Sequence, residues 1–119
     1  MLQARRNHFY REMPTEGREM TLERLQGKFP LGQTVMTRGV ADKVAIDIGF
    51  SEFVFKSLKR HANGDWGDLC QADKDENELA LKQGNLRLFS AYSRPPLPKI
   101  WIITEADRSA TTILFPEEY

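Results

Sequence analysis

Two short stretches bring acids, a base and hydroxyls close enough along the chain to share a site. The first is Arg60-His61-Ala62-Asn63-Gly64-Asp65-Trp66-Gly67-Asp68. His61 is the side-chain type that titrates nearest neutrality, and a carboxylate beside it makes an acid/base pair. Asp65 and Asp68 can equally offer oxygen ligands to a divalent ion, although no known metal-ligand spacing is present. Two glycines bracket Asp65 and Trp66 and supply positive φ. Trp66 reads as a buried plug whose indole N–H needs an acceptor. The competing reading is a structural corner, with Asp65 and Asp68 bonding nearby backbone N–H groups. The second stretch is Glu105-Ala106-Asp107-Arg108-Ser109. There Arg108 can grip an anion while Ser109 or Thr111 adds a hydroxyl. Alternatively, Asp107 forms an Asx-type turn and Arg108 pairs with Glu105 or Glu117. The candidate pocket is therefore His61, Asp65, Trp66, Asp68, Glu105, Asp107 and Arg108. No residue among them is assigned a catalytic role, and neither a metal nor a cofactor is implied.

The elements that must hold these stretches follow from periodicity. Residues 1–28 are polar and weakly periodic, broken by Pro14 and Gly17, and read as a tail or extension. Met20 is a second plausible start. A sharper reading makes the segment an arm that docks on a partner through Phe9, Tyr10 and the arginines. Phe29-Pro30-Leu31-Gly32 is a turn before a short strand over 33–37. Thr37 caps a helix over about 40–48, with Val40, Val44, Ala45 and Ile48 on one face. Gly49 ends it, and Ser51 caps a second helix over about 52–62 with Val54, Phe55, Leu58 and Ala62 inward. The pair matches a helix-turn-helix pattern loosely. Its second helix offers Glu52, Phe53, Lys56, Ser57 and Arg60 to a groove. None of these is the Asn or Gln that reads adenine, and Glu52 repels phosphate. Asp73 opens a third helix to about Gln83, with Glu76 completing a capping box and Gly84 ending it. A strand over 86–92, a stiff proline connection over 93–98 and a strand over 99–105 follow.

The register of the last sheet can be read directly. Closing the turn on Asp107-Arg108 pairs Glu105 with Ala110, Ile102 with Ile113 and Ile100 with Phe115. Setting Tyr92 opposite Lys99 pairs Ala91 with Ile100 and Phe89 with Ile102. One face then carries Phe89, Ala91, Ile100, Ile102, Ile113 and Phe115. The other carries Leu88, Tyr92, Trp101, Ile103 and Leu114, and is the candidate oligomer face. The expected fold is α+β. A helical hairpin and a third helix pack on a small antiparallel sheet that ends in a C-terminal three-stranded meander, all within residues 29–119.

Bulk properties narrow the function classes. The chain has 119 residues, enough for one core. Lys+Arg and Asp+Glu stand at 17 each, so no basic surplus favours nucleic acid or an anionic membrane. No apolar run nears the roughly 20 residues that span a bilayer. One cysteine, Cys70, excludes an intrachain disulfide and fits a reducing compartment, so a cytoplasmic protein is expected.

Three segments carry a resemblance: Phe29-Pro30-Leu31-Gly32-Gln33, Arg60 through Asp68, and Ile100 through Tyr119. They resemble a group of short bacterial proteins often carried on plasmids, labelled plasmid-related proteins or sometimes type I restriction-modification subunits. The resemblance covers residues 29–119 and departs at the proline-rich 94–98 loop. It implies no activity and supplies no catalytic residue. No methyl-donor glycine motif or Asn-Pro-Pro-Tyr-type motif accompanies the restriction label. The expectation is a small accessory or interaction protein, associated with mobile elements and acting as a homodimer or with a protein partner. An enzyme is the less favoured reading. The alternatives are a ribonuclease toxin, similar to the RelE/ParE type in element order, and a helix-turn-helix regulator.

Overall fold

The computed structural model describes the backbone of Tyr10–Glu12 and residues 27–119. The rest of the expected N-terminal extension lies outside the described residues. The chain forms β1 (Tyr10–Glu12), β2 (Gln33–Thr37), α1 (Arg38–Ile46), α2 (Ile48–Ala62) and α3 (Gln71–Gln83). It then forms β3 (Leu88–Arg94), β4 (Leu97–Thr104), β5 (Ala110–Leu114) and a 3-10 turn, Pro116–Glu118. The fold is α+β, with three helices against one sheet and a β3–β4–β5 meander at the C-terminal end. The sheet order is β1-β2-β5-β4-β3. It is antiparallel except where β2 runs parallel to β5, Gln33 beside Ala110 and Met36 beside Ile113.

Thr37 caps α1 as its type suggests, its hydroxyl accepting from the Val40 N–H at 3.3 Å. The helical hairpin, however, breaks earlier than the glycine implied. Asp47 adopts an extended conformation and accepts from the Phe50 N–H at 3.0 Å, so Asp47, not Ser51, caps the second helix. Gly49 then lies within α2 and Ser51 is buried in its first turn. A carboxylate cap outcompetes a glycine stop because it satisfies a backbone donor and suits the helix N-terminal field. One residue now separates α1 from α2, in place of a helix-turn-helix turn. Phe53 and Ser57, expected to face a groove, are buried. Ile48, expected inward, is 73% exposed beside Ile46 at 84%. α3 begins two residues before the expected capping box, at Gln71, and ends at Gly84 in the left-handed conformation, as its glycine required.

The main core lies between α1, α2 and one sheet face. Phe50, Val54 and Leu58 from α2 meet Met36, Tyr92, Ile100, Ile102 and Ile113. The β4–β5 register is the expected one, with Ile102 opposite Ile113. The β3–β4 register differs by one residue: Tyr92 faces Ile100 and Ala91 faces Trp101. The cause is local. Arg94 pairs with Leu97 across the Pro95-Pro96 turn, which alone would give the expected alignment, but a bulge between Tyr92 and Arg94 inserts one residue. A one-residue slip moves every side chain to the opposite face. Leu88 and Tyr92 therefore join the helix side and are buried. Phe89 and Ala91 move to the second face with Trp101, Ile103 and Leu114. The expected oligomer face is thus split between two sides of the sheet. Ile103 and Leu114 are themselves buried, while Trp101 packs edge-on between Phe89 and Tyr119 at centroid distances of 5.0 and 5.7 Å.

Candidate functional site

His61 sits at the C-terminal end of α2, where the helix meets the sheet. Its ring lies between two hydroxyls: Nδ1 is 2.5 Å from Ser90 Oγ and Nε2 is 2.9 Å from Thr104 Oγ1. Thr104 continues to Thr111 at 2.7 Å, and Thr111 donates to the Leu31 carbonyl at 2.7 Å. The terminal carbonyl can only accept, which fixes the direction of the whole chain. Thr111 donates to Leu31, Thr104 donates to Thr111, and His61 Nε2–H donates to Thr104. Nδ1 therefore accepts from the Ser90 hydroxyl. His61, Ser90, Thr104 and Thr111 are all buried. Burial, and secondarily the positive charge of Arg108, lowers the His61 pKa to about 3. The imidazole is neutral across the physiological range, and its hydrogen bonds tie α2 to β3, β4, β5 and the segment before β2.

Arg108 has a left-handed backbone, φ 62°. That conformation turns its guanidinium inward against main-chain carbonyls. It donates to Leu86 at 2.7 Å, to Glu105 and Ala106 at 3.1 Å, and to Ala80 at 3.2 Å. Ala80 belongs to the last turn of α3, where its carbonyl also accepts from the Gly84 N–H at 2.8 Å and the helix dipole favours a cation. Arg108 thus staples the end of α3 to the loop before β3 and to the β4–β5 turn. These contacts commit Nη1 to three carbonyls and Nη2 to one. Its guanidinium also lies 5.9 Å from the centre of the Phe29 ring.

Phe29 is the hub that the sequence did not disclose. Its ring is edge-on to His61 at 5.4 Å and stacked on Trp66 at 6.2 Å, and His61 and Trp66 are 5.7 Å apart. Ala80 and Leu88 complete this second cluster. The Trp66 indole N–H finds the acceptor it required in Glu78, at 2.8 Å. Phe29 is held by its neighbours: Lys28 N–H donates to the Ala62 carbonyl at 2.7 Å, and Leu31 accepts from Thr111. Of the seven expected site residues, His61, Trp66 and Arg108 converge, and Phe29 fills the space between them.

The remaining four stand apart. Asp65 is held by Arg60 at 2.7 and 3.1 Å, and chiefly that guanidinium lowers its pKa. Asp68 accepts from the Ser93 hydroxyl at 2.6 Å. Asp107 makes the Asx turn, accepting from the Ser109 N–H at 3.0 Å, and its pKa is lowered by the Ser109 side chain and backbone. Glu105 is buried at the foot of β4. Among the described residues no group of three His, Cys, Asp or Glu is placed to hold a metal ion. No described helix is long and apolar enough to cross a membrane. The polar Thr104–Thr111 pair follows from the β4–β5 register, and Ser90 from inward alternation once β3 is shifted by its bulge. Phe29 had no comparable signal, because a Phe-Pro turn is ordinary at a strand entrance.

The Gly64–Asp68 loop takes the structural one of its two expected roles. Gly67 bridges to Ala91, and a Cβ there would lie 2.0 Å from the Ala91 carbonyl oxygen, at φ 76°. The Trp66 carbonyl accepts from Ala91 N–H at 3.3 Å, and Asp68 N–H donates to the Ala91 carbonyl at 2.7 Å. The loop is a structural corner that closes the outer edge of β3. Compared with family models, curated proteins and solved structures, the chain matches none.

Proposed function

We propose that the protein is a non-enzymatic interaction module that acts as a homo-oligomer, in the manner of a small cytoplasmic accessory protein carried by a mobile element. The observation that supports this reading is the prong at the hairpin tip. Ile46 and Ile48 expose 84% and 73% of their surface on either side of the Asp47 cap. Meanwhile the side chains that looked chemically capable are engaged: His61 in a buried hydrogen-bond chain, Arg108 on four carbonyls, Asp65 on Arg60. Large apolar side chains this exposed, held on two rigid helices, suit a partner surface. No specific observation favours the toxin or DNA-binding alternatives. The one-residue hairpin junction and the buried Phe53 and Ser57 weigh against the latter.

The size of the prong limits what it does. At ~1.5–3 kcal/mol for each isoleucine and ~25 cal/mol/Å², two side chains remove about 120–240 Å² from water. A standard interface buries roughly 800 Å² per partner. The prong is therefore an anchor within a larger contact. The test is Ile46→Lys with Ile48→Glu, whose charges suit the C-terminal end of α1 and the N-terminal end of α2. Light scattering across a micromolar concentration series should show oligomer for the parent and monomer for the variant, with an unchanged circular dichroism spectrum as the check that the variant is folded. A parent that is monomeric throughout that range sinks the homo-oligomer reading.

A further inference from the structure

The two edges of the sheet are protected in opposite ways. On β3, every outward main-chain group of Phe89 and Ala91 is taken by fixed parts of the same domain. The Asn77 amide on α3 accepts from Phe89 N–H at 3.1 Å and donates to its carbonyl at 2.6 Å, imitating a neighbouring strand. The Gly64–Asp68 corner does the same for Ala91. No further strand can add there without dismantling α3 and the loop. On β2 the cover is a three-residue strand. Tyr10, Arg11 and Glu12 pair antiparallel with Thr37, Met36 and Val35. Residues 13–26, fourteen in all, separate that strand from the segment anchored by Lys28, Phe29 and Leu31 ahead of β2. Fourteen residues reach at most roughly 50 Å. The longest dimension of the molecule is 38 Å.

We infer that the β2 edge is a strand-acceptor site and that its occupant in the oligomer is the Tyr10–Glu12 strand of a second copy. This rests on the homo-oligomer reading above and specifies how the copies join. The complement is already identified: β1 has the length, direction and register that the edge accepts. Its tether is long enough to serve a neighbouring β2 instead of its own. Exchange of an identical element preserves every β1–β2 hydrogen bond while adding new surface between the copies. It also supplies contact area that the Ile46–Ile48 prong lacks, on the side of the sheet where α1 follows directly from β2.

The experiment uses the full chain with Cys70→Ser, to remove the exposed native thiol. Glu12→Cys and Val35→Cys are introduced together at paired positions. After mild oxidation, a non-reducing gel should show a species of doubled mass that collapses on reduction. Because the double variant can be perturbed, a second measurement uses two separately tagged copies, one with Glu12→Cys and one with Val35→Cys. These are unfolded together and refolded, and a disulfide-linked heterodimer is expected. A disulfide within one chain, with no heterodimer from the mixed copies, overturns strand exchange. If light scattering still reports an oligomer, only the exchange fails. If it reports a monomer, the homo-oligomer reading fails as well.

Discussion

The charge state of His61 is coupled to folding. Its ordinary pKa of 6.5 falls to about 3 in the folded chain, chiefly because burial penalises the imidazolium. Between these values the unfolded chain binds a proton that the native state refuses. Stability contributed by neutral His61 is therefore present above pH 6.5 and is lost as pH falls toward 3. Well below pH 6.5 the loss approaches about 1.4 kcal/mol per pH unit. The depressed carboxylates Asp47, Asp65 and Asp107 act in the same direction but lower, from below their ordinary value of 3.8. Urea midpoints between pH 6.5 and 5 isolate the histidine. His61→Gln should be less stable at pH 7 and show a flatter midpoint-against-pH slope than the parent. An unchanged slope would remove His61 as the cause. At this scale the sequence marked the right base and arginine but left a ligand-facing and a structural reading of their stretches open. Solvent exclusion decides the matter, and it depends on Phe29, a residue more than 30 positions from His61 along the chain.

At the scale of elements, most of the fold was legible. Thr37 and Gly84 marked helix ends through mechanisms that need only the local chain. The α1–α2 junction was misjudged because two stop signals competed within five residues, Asp47 against Gly49 and Ser51. The structure makes this a measurable choice. Asp47→Ala should cost ~1 kcal/mol in chemical denaturation through loss of the α2 cap. Ser51→Ala should cost less. A larger effect at Ser51 would restore the later helix start. The β3–β4 register was misjudged for a different reason. A bulge adds a residue without a sequence signature of its own, and the Pro95-Pro96 turn alone points to the other alignment. The parallel β2–β5 contact was likewise invisible, since periodicity identifies a strand without naming its neighbour.

At the scale of the whole molecule, the segments fold on different terms. The helical hairpin and the β3–β4–β5 meander close through contacts near in sequence. The β2–β5 join brings Gln33 to Ala110, 110 − 33 = 77 positions away. Loop-closure entropy must be met before that pairing contributes, so β2 should dock late. Met36→Ala, at a buried site on β2, should lower stability by about 2–5 kcal/mol, expressed almost wholly as faster unfolding. Stopped-flow chevrons would show this as a raised unfolding limb; a folding limb slowed in proportion would place β2 in the nucleus instead. The same parallel join has a consequence during synthesis. β2 is made before its β5 neighbour, and at 5–20 residues per second those 77 positions take roughly 4–15 s to translate. For those seconds each nascent chain carries β2 with no β5 beside it, and among the described residues the strand already made that fits it is β1.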